Sequence, residues 1–121
     1  MRYERLYADP GGETHFETAA LTLDEADYRP PAPLAYVSHA LQAGTLQFVR
    51  LPAGWRGESL SPPQHQFLFC LEGQLEVRAS DGKTRTFGRG DAVLMEDTSG
   101  RGHSSHVKGG KDLIAAIVAL E

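Results

Sequence analysis

The segment Gln66-Phe67-Leu68-Phe69-Cys70-Leu71-Glu72-Gly73 decides the fold. A short apolar run that ends on glycine is the pattern of a buried strand turning back on itself. A second glycine-centred stretch follows: Gly90-Asp91, a short apolar run, then the loop Glu96-Asp97-Thr98-Ser99-Gly100-Arg101-Gly102-His103. Between the two, Asp81-Gly82 separates alternating runs, and both residue types tolerate the positive φ of a tight hairpin turn. Working outward, strands are predicted over 34–37, 45–51, 66–71, 74–79, 84–87, 92–95, 104–107 and 113–120. No helical stretch lies between them, which predicts an all-β sandwich or barrel.

The flanks read differently. Residues 1–33 form an arm of mixed character, expected to pack on the barrel or on a partner subunit, with residues 34–121 as the barrel itself. A helical turn is expected over 24–28, stopped by Pro30, Pro31 and Pro33, which favour an extended crossing segment. The last strand alternates Leu113, Ala115, Ile117 and Ala119 with Ile114, Ala116, Val118 and Leu120, so both of its faces are apolar. One face belongs to the core. The other needs a cover, and a homodimer is expected to supply it.

Composition sets the outer limits. A chain of 121 residues has room for one domain, and 40% hydrophobic residues with 13 Gly and 7 Pro suit a β-protein rich in turns. The net charge of −4 comes with no Lys/Arg cluster, which argues against nucleic acid and anionic membrane as partners. The N-terminus carries charges where a secretory segment needs apolar residues, and no apolar run approaches the roughly 20 residues of a membrane helix. The one cysteine, Cys70, excludes an internal disulfide and fits a cytoplasmic location.

The two glycine-framed stretches resemble the paired motifs of the cupin superfamily, the small double-stranded β-helix or jelly-roll barrel. Those motifs read G-x5-H-x-H-x3/4-E-x6-G and G-x5-P-x-G-x2-H-x3-N, and their histidines and glutamate usually hold one divalent metal. The resemblance covers roughly residues 34–120. Arg5-Leu6-Tyr7, Gly12-x-x-His15-Phe16, Pro30 to Pro33, Gly54-Trp55 and the loop ending at His103 look like small stand-alone cupins of the conserved-barrel type. The frame fits better than the ligands do. Counting back from Gly73 puts Gln66 at the glutamate position and Leu60 and Pro62 at or beside the two histidines. In the second motif Glu96 replaces the proline and Thr98 the glycine, while His103 arrives two residues late and Val107 stands for the asparagine. The metal motif is therefore degenerate.

Strand alternation sorts the candidates. With Gln66 facing the lumen, Gln64, Leu68 and Cys70 share its side, while His65, Phe67, Phe69 and Leu71 face out. His103 closes the glycine-spaced loop that the resemblance brings to the barrel mouth. It is a candidate catalytic residue, oriented by Asp97 or Glu96, or a metal ligand with Gln66. His106 falls on the opposite face. Trp55 and Tyr36 are candidate walls of a ligand site, and Cys70 reads as a structural thiol. Arg101 reads as a solvated loop residue, or a partner for an acidic ligand. His15 and His39 have no partner legible in the sequence.

The leading reading is a barrel that binds a small organic molecule in its lumen through Gln64, Gln66, His103, Trp55 and Tyr36, with no cofactor. Three others stay open. One is a metal-dependent oxygenase, isomerase or lyase, with a divalent transition metal on Gln66 and His103. Another is a metal-free enzyme in which His103 and an acid move protons. The third is a structural protein with a filled lumen. Replacing His103 is expected to weaken ligand binding and leave stability nearly unchanged.

Overall fold

Alternation of apolar and polar residues builds the chain into twelve strands, and the computed structural model describes all of residues 1–121. In chain order they are β1 (Arg2–Ala8), β2 (Thr14–Ala20), β3 (Asp24–Ala26), β4 (Ala35–Val37), β5 (Ala43–Leu51), β6 (Arg56–Leu60), β7 (Gln66–Glu72), β8 (Gln74–Ala79), β9 (Thr84–Phe87), β10 (Ala92–Met95), β11 (His103–Lys108) and β12 (Leu113–Leu120). A six-stranded sheet, in the order β2-β1-β10-β7-β12-β5, faces a four-stranded sheet, β6-β11-β8-β9. A small ribbon of β3 and β4 pairs with neither. No helix is long and apolar enough to cross a membrane.

The core lies between the two sheets. Leu6, Leu68, Val93, Met95, Leu113 and Ala115 of the larger sheet meet Leu75, Val77, Phe87 and Val107 of the smaller one. Each side chain of this kind taken out of water contributes about 1.5–3 kcal/mol, so sheet-to-sheet packing carries the fold. Cys70 lies in the same core, where burial, with a smaller contribution from the charge of Asp91, pushes its thiol above the usual range. The opposite face of the larger sheet has a smaller apolar cluster of Phe67, Ala92 and Leu94, flanked by Tyr3, Phe69 and Leu120. The two apolar faces of the last strand are thus real, one in each cluster.

The glycine turns stand where the sequence places them. Gly73 joins β7 to β8 at φ 85°, and a Cβ there would lie 2.6 Å from the carbonyl oxygen of Asp112, so no larger residue fits.

The first thirty residues differ from expectation. β1 pairs in parallel with β10, with Glu4 opposite Val93 and Leu6 opposite Met95, and β2 pairs with β1. No division appears in the sheet at residue 33; residues 2–20 are part of the larger sheet, and Leu6 is fully buried. The expected helical turn at 24–28 is instead strand β3, paired with β4 from Asp24–Val37 to Ala26–Ala35. The proline segment behind it lets the chain fold back and pair locally.

Candidate functional site

β11 alternates strictly. His103, Ser105 and Val107 are buried, while Ser104, His106 and Lys108 lie on the outer, wetter face. The strand enters at Gly102, held at φ 69°, where a Cβ would come within 2.2 Å of the Leu60 carbonyl oxygen. A glycine is therefore required to bring the chain this close to β6 and aim His103 inward. On the other side of the ladder β6 bulges. His103 is paired with Leu60 and Ser105 with Gly57, and Ser59 within the extra length adopts φ 51°.

His103 Nδ1 lies 2.6 Å from Asp97 Oδ2, and both side chains are almost completely shielded from solvent. Asp97, not Glu96, is the orienting acid. Glu96 instead takes a hydrogen bond from Arg5 Nε and faces His65 Nδ1 at 3.4 Å. The other oxygen of Asp97 is buried without a partner, and His103 Nε2 bonds to no other group of the chain. An imidazole held at Nδ1 presents Nε2 to whatever occupies the space beside it.

That space is a cavity of about 270 Å³ between the sheets. Val49, Leu51, Trp55, Leu60, Leu68, Leu75, Met95 and Ile117 give it an apolar wall, and Gln66, His103, Ser61 and Ser105 are its polar groups. Gln66 and His103 thus border one lumen, with Gln66 at the start of β7 opposite Met95. Trp55 borders it too. Its ring rests against Gly57, where a Cβ would be 2.7 Å from Trp55 Cη2 and 2.8 Å from Leu60 Cδ1. Two of the candidate ligand residues lie elsewhere. Gln64 is exposed ahead of β7, before the alternation begins, and Tyr36 stands on the β3–β4 ribbon, 67% exposed. His65 is half-exposed on the outside.

Leu60 and Pro62, at the positions where the resemblance places imidazoles, do face this lumen, but as hydrocarbon. One imidazole, already engaged at Nδ1, and one carboxamide remain. No group of three or more His, Cys, Asp or Glu side chains converges in a metal-holding arrangement. The donors present do not fit a divalent transition metal, whose protein sites supply three or four such ligands.

The N-terminal strands hold the site in place. Thr14, fully buried, donates from Oγ1 to the Gly102 carbonyl at 2.8 Å and accepts from the Ser80 amide at 2.6 Å. The Glu96 amide bonds to the Leu6 carbonyl, the Arg101 amide to the Gly12 carbonyl, and the Arg101 guanidinium to Glu13. The Arg101 side chain nevertheless stays largely exposed, as a solvated loop residue, with Glu13 as its partner. His15 bridges Asp9 at 2.8 Å and Asp81 at 2.9 Å, one carboxylate on each ring nitrogen. The hydrogen bond to Asp9, then that to Asp81, raises its pKa above the ordinary imidazole value. Asp9 is lowered chiefly by His15. At Asp81 partial burial pushes upward, but the Lys83 amide and His15 outweigh it and lower the carboxyl. Most of these ties were not legible in the sequence, because they join residues 66–91 apart in the chain; the exception by distance is His15–Asp9, six apart.

An open depression of about 450 Å³ lies over the outer face of the smaller sheet, lined by Arg56, Glu76, Arg78 and His106 among others. It is larger than the lumen but more open and lined by mostly polar residues; His103 and Ser105 border it as well as the lumen, whereas Asp97 does not.

Comparison with known proteins agrees with this fold. The family model for the cupin domain matches residues 47–118. A cupin 2 conserved-barrel protein from Salinispora arenicola has 17% identity and a TM-score of 0.53, over 63% of this chain and 61% of that one, so this chain spans less than two thirds of its length. A sugar phosphate isomerase of the cupin superfamily from Silicibacter pomeroyi has 19% identity and a TM-score of 0.52, over 100% of this chain and 71% of that one. No curated protein matches. With the domain pattern matching residues 47–118 and an all-β barrel built from them, this chain belongs to the cupin family.

Proposed function

We propose that the chain binds a small organic molecule in the lumen and that His103 is the group that exchanges a proton or hydrogen bond with it. The observation that carries this reading is the buried His103–Asp97 pair at 2.6 Å beside an apolar cavity of about 270 Å³. The wall favours a ligand with a hydrocarbon or aromatic body, because a hydroxyl-rich molecule would leave most of its groups unpaired there. The few polar groups favour one or two heteroatoms on that body, met by His103 Nε2, Gln66 and the two serines.

Metal-free acid–base catalysis is the second reading, and Asp97 is the observation that favours it. A carboxylate on Nδ1 fixes the ring and stabilises the imidazolium formed when Nε2 takes a proton, which is the arrangement of a general base. A ligand that ionises on its heteroatom or beside a carbonyl would be activated in this way.

Trp55 is the chain's single tryptophan and borders the cavity, so its fluorescence reads occupancy directly. Titration with monocyclic phenols, benzoates and branched short-chain acids is expected to give a saturable change with one site per chain. His103→Gln should weaken it at least tenfold. A response that never saturates, or that His103→Gln leaves unaltered, defeats the lumen reading. Solvent deuterium exchange into a bound ligand, lost in His103→Gln, separates catalysis from binding.

A further inference from the structure

The lumen is short of positive charge. None of the residues that border it is Arg or Lys, and His103 alone among them is an imidazole. Arg101 of the site loop and Arg5, which reaches that loop, are engaged elsewhere, with Glu13 and Glu96 respectively. Behind His103 stands Asp97, fully buried, with one oxygen 2.6 Å from the ring and the other unpartnered. His103 is its one ionic partner. A carboxylate taken out of water is normally balanced by a cation or by several donors. With a neutral imidazole beside it, Asp97 leaves this end of the lumen negative.

The hydrogen-bonding character of the wall has the same sense. With its Nδ1–H donated to Asp97, His103 offers Nε2 as an acceptor. Gln66 turns its Nε2 to Met95 Sδ at 3.9 Å, which leaves the side-chain carbonyl oxygen to face the lumen as a second acceptor. The hydroxyls of Ser61 and Ser105 accept as readily as they donate. An anionic ligand would add its charge to that of Asp97. A neutral alcohol would bring a single donor. A primary ammonium brings three donors and the missing charge, and the Trp55 indole on the same lumen attracts a cation to its ring face.

We infer, building on the lumen reading above, that the ligand is a protonated primary amine carried on an apolar body. Its N–H groups donate to His103 Nε2 and to the Gln66 carbonyl, and its charge answers Asp97 across the imidazole. Val49, Leu51, Leu68 and Ile117 receive the body. Asp97 itself does not border the lumen. It is therefore a specificity-determining residue that acts through His103, by charge rather than by shape.

Phenethylamine, phenethyl alcohol and phenylacetate share one body and differ in the head group. Titrating each into the full-length chain near neutral pH, with Trp55 fluorescence as the signal, is the test. The amine should saturate one site per chain and bind at least tenfold more tightly than the alcohol or the acid. Asp97→Asn keeps an acceptor for Nδ1 and removes the charge, so the ratio of amine to alcohol affinity should fall at least fivefold. An alcohol or acid that binds as tightly as the amine overturns the amine assignment and leaves the lumen reading standing. A ratio that survives Asp97→Asn overturns it as well. Failure of all three to saturate overturns the amine assignment, and the phenol titration then decides the lumen reading separately. If Asp97→Asn loses its strand spectrum, Gln66→Met takes its place. Loss of the carbonyl acceptor must then lower the ratio at least threefold, and an unaltered ratio overturns the proposal.

Discussion

Leu60 is the cross-strand partner of His103, and both side chains border the lumen. A position that could hold a second imidazole beside the first is hydrocarbon. Wild-type protein dialysed against a mild chelator is therefore expected to retain no stoichiometric transition metal. Leu60→His should bring a second nitrogen ligand to the same wall and raise Co(II) affinity at least tenfold, read from its visible absorption. Equal Co(II) binding by both proteins would sink this account of the site.

His103→Ala should destabilise the protein, contrary to what its sequence position suggests. A cavity-lining histidine costs little to remove, but this one is the partner of a carboxylate with no other hydrogen bond from a side chain and one oxygen already orphaned. Stranding a buried charged group costs about 3–5 kcal/mol. Asp97→Asn keeps an acceptor at Nδ1 and should cost less, about 1–3 kcal/mol. Urea denaturation measures both; a loss under about 1 kcal/mol for His103→Ala contradicts a buried, coupled pair.

Thr14→Val conserves shape and removes the hydroxyl that joins Gly102 to Ser80. Two backbone groups then lose their partner, at about 1–3 kcal/mol each where they are buried. Because Gly102 precedes His103, the variant should also weaken the lumen's ligand response while the strand spectrum is kept. A stability change within about 0.5 kcal/mol of zero would show that water replaces the hydroxyl.

The pH dependence has a definite sign. The His15 pKa is raised, so its tie to Asp9 and Asp81 is fully present below the unfolded imidazole value near 6.5 and is lost as pH rises through the higher folded value. Asp9 and Asp81 are lowered, so their contribution is present above the unfolded carboxyl value and is lost as pH falls through their folded values. The hairpin anchor is therefore strongest in mildly acidic solution. Proton NMR titration of His15 should give a pKa above 6.5 that drops in Asp81→Asn. A His15 midpoint at or below 6.5 refutes the doubly held ring.

What the sequence made legible follows from the range of the interactions involved. Strands from Gln66 to Leu120 were readable because alternation and glycine turns are local signals, and the observed bounds of β7 to β10 and β12 differ from the predicted ones by at most one residue. Gln66 was readable for the same reason, as parity along a strand fixes the face, whereas His103 was read from the glycine-spaced loop before it and Trp55 from its place after the Pro52–Gly54 turn. β1, β2 and β6 were not. The charged alternation of Arg2–Ala8 looks like a surface arm until it is paired with β10, 89 residues later in the chain. Arg56–Leu60 is bent by a bulge that breaks the pattern. Gln64 and Tyr36 were misplaced by extending parity beyond a strand's end and by treating an isolated ribbon as barrel wall.

The parallel pairing of β1 with β10 also has a meaning in time. Arg5 and Glu96, which join the first strand to the site loop, are 91 residues apart. At roughly 5–20 residues per second of synthesis, the first strand waits about 5–20 s for its neighbour to be made. Thr14, the buried latch behind His103, waits as long for Gly102. A nascent chain halted before Ala92 therefore has β1 and β2 finished with no larger sheet to join, and the ribosome must add β10 before the two find their place.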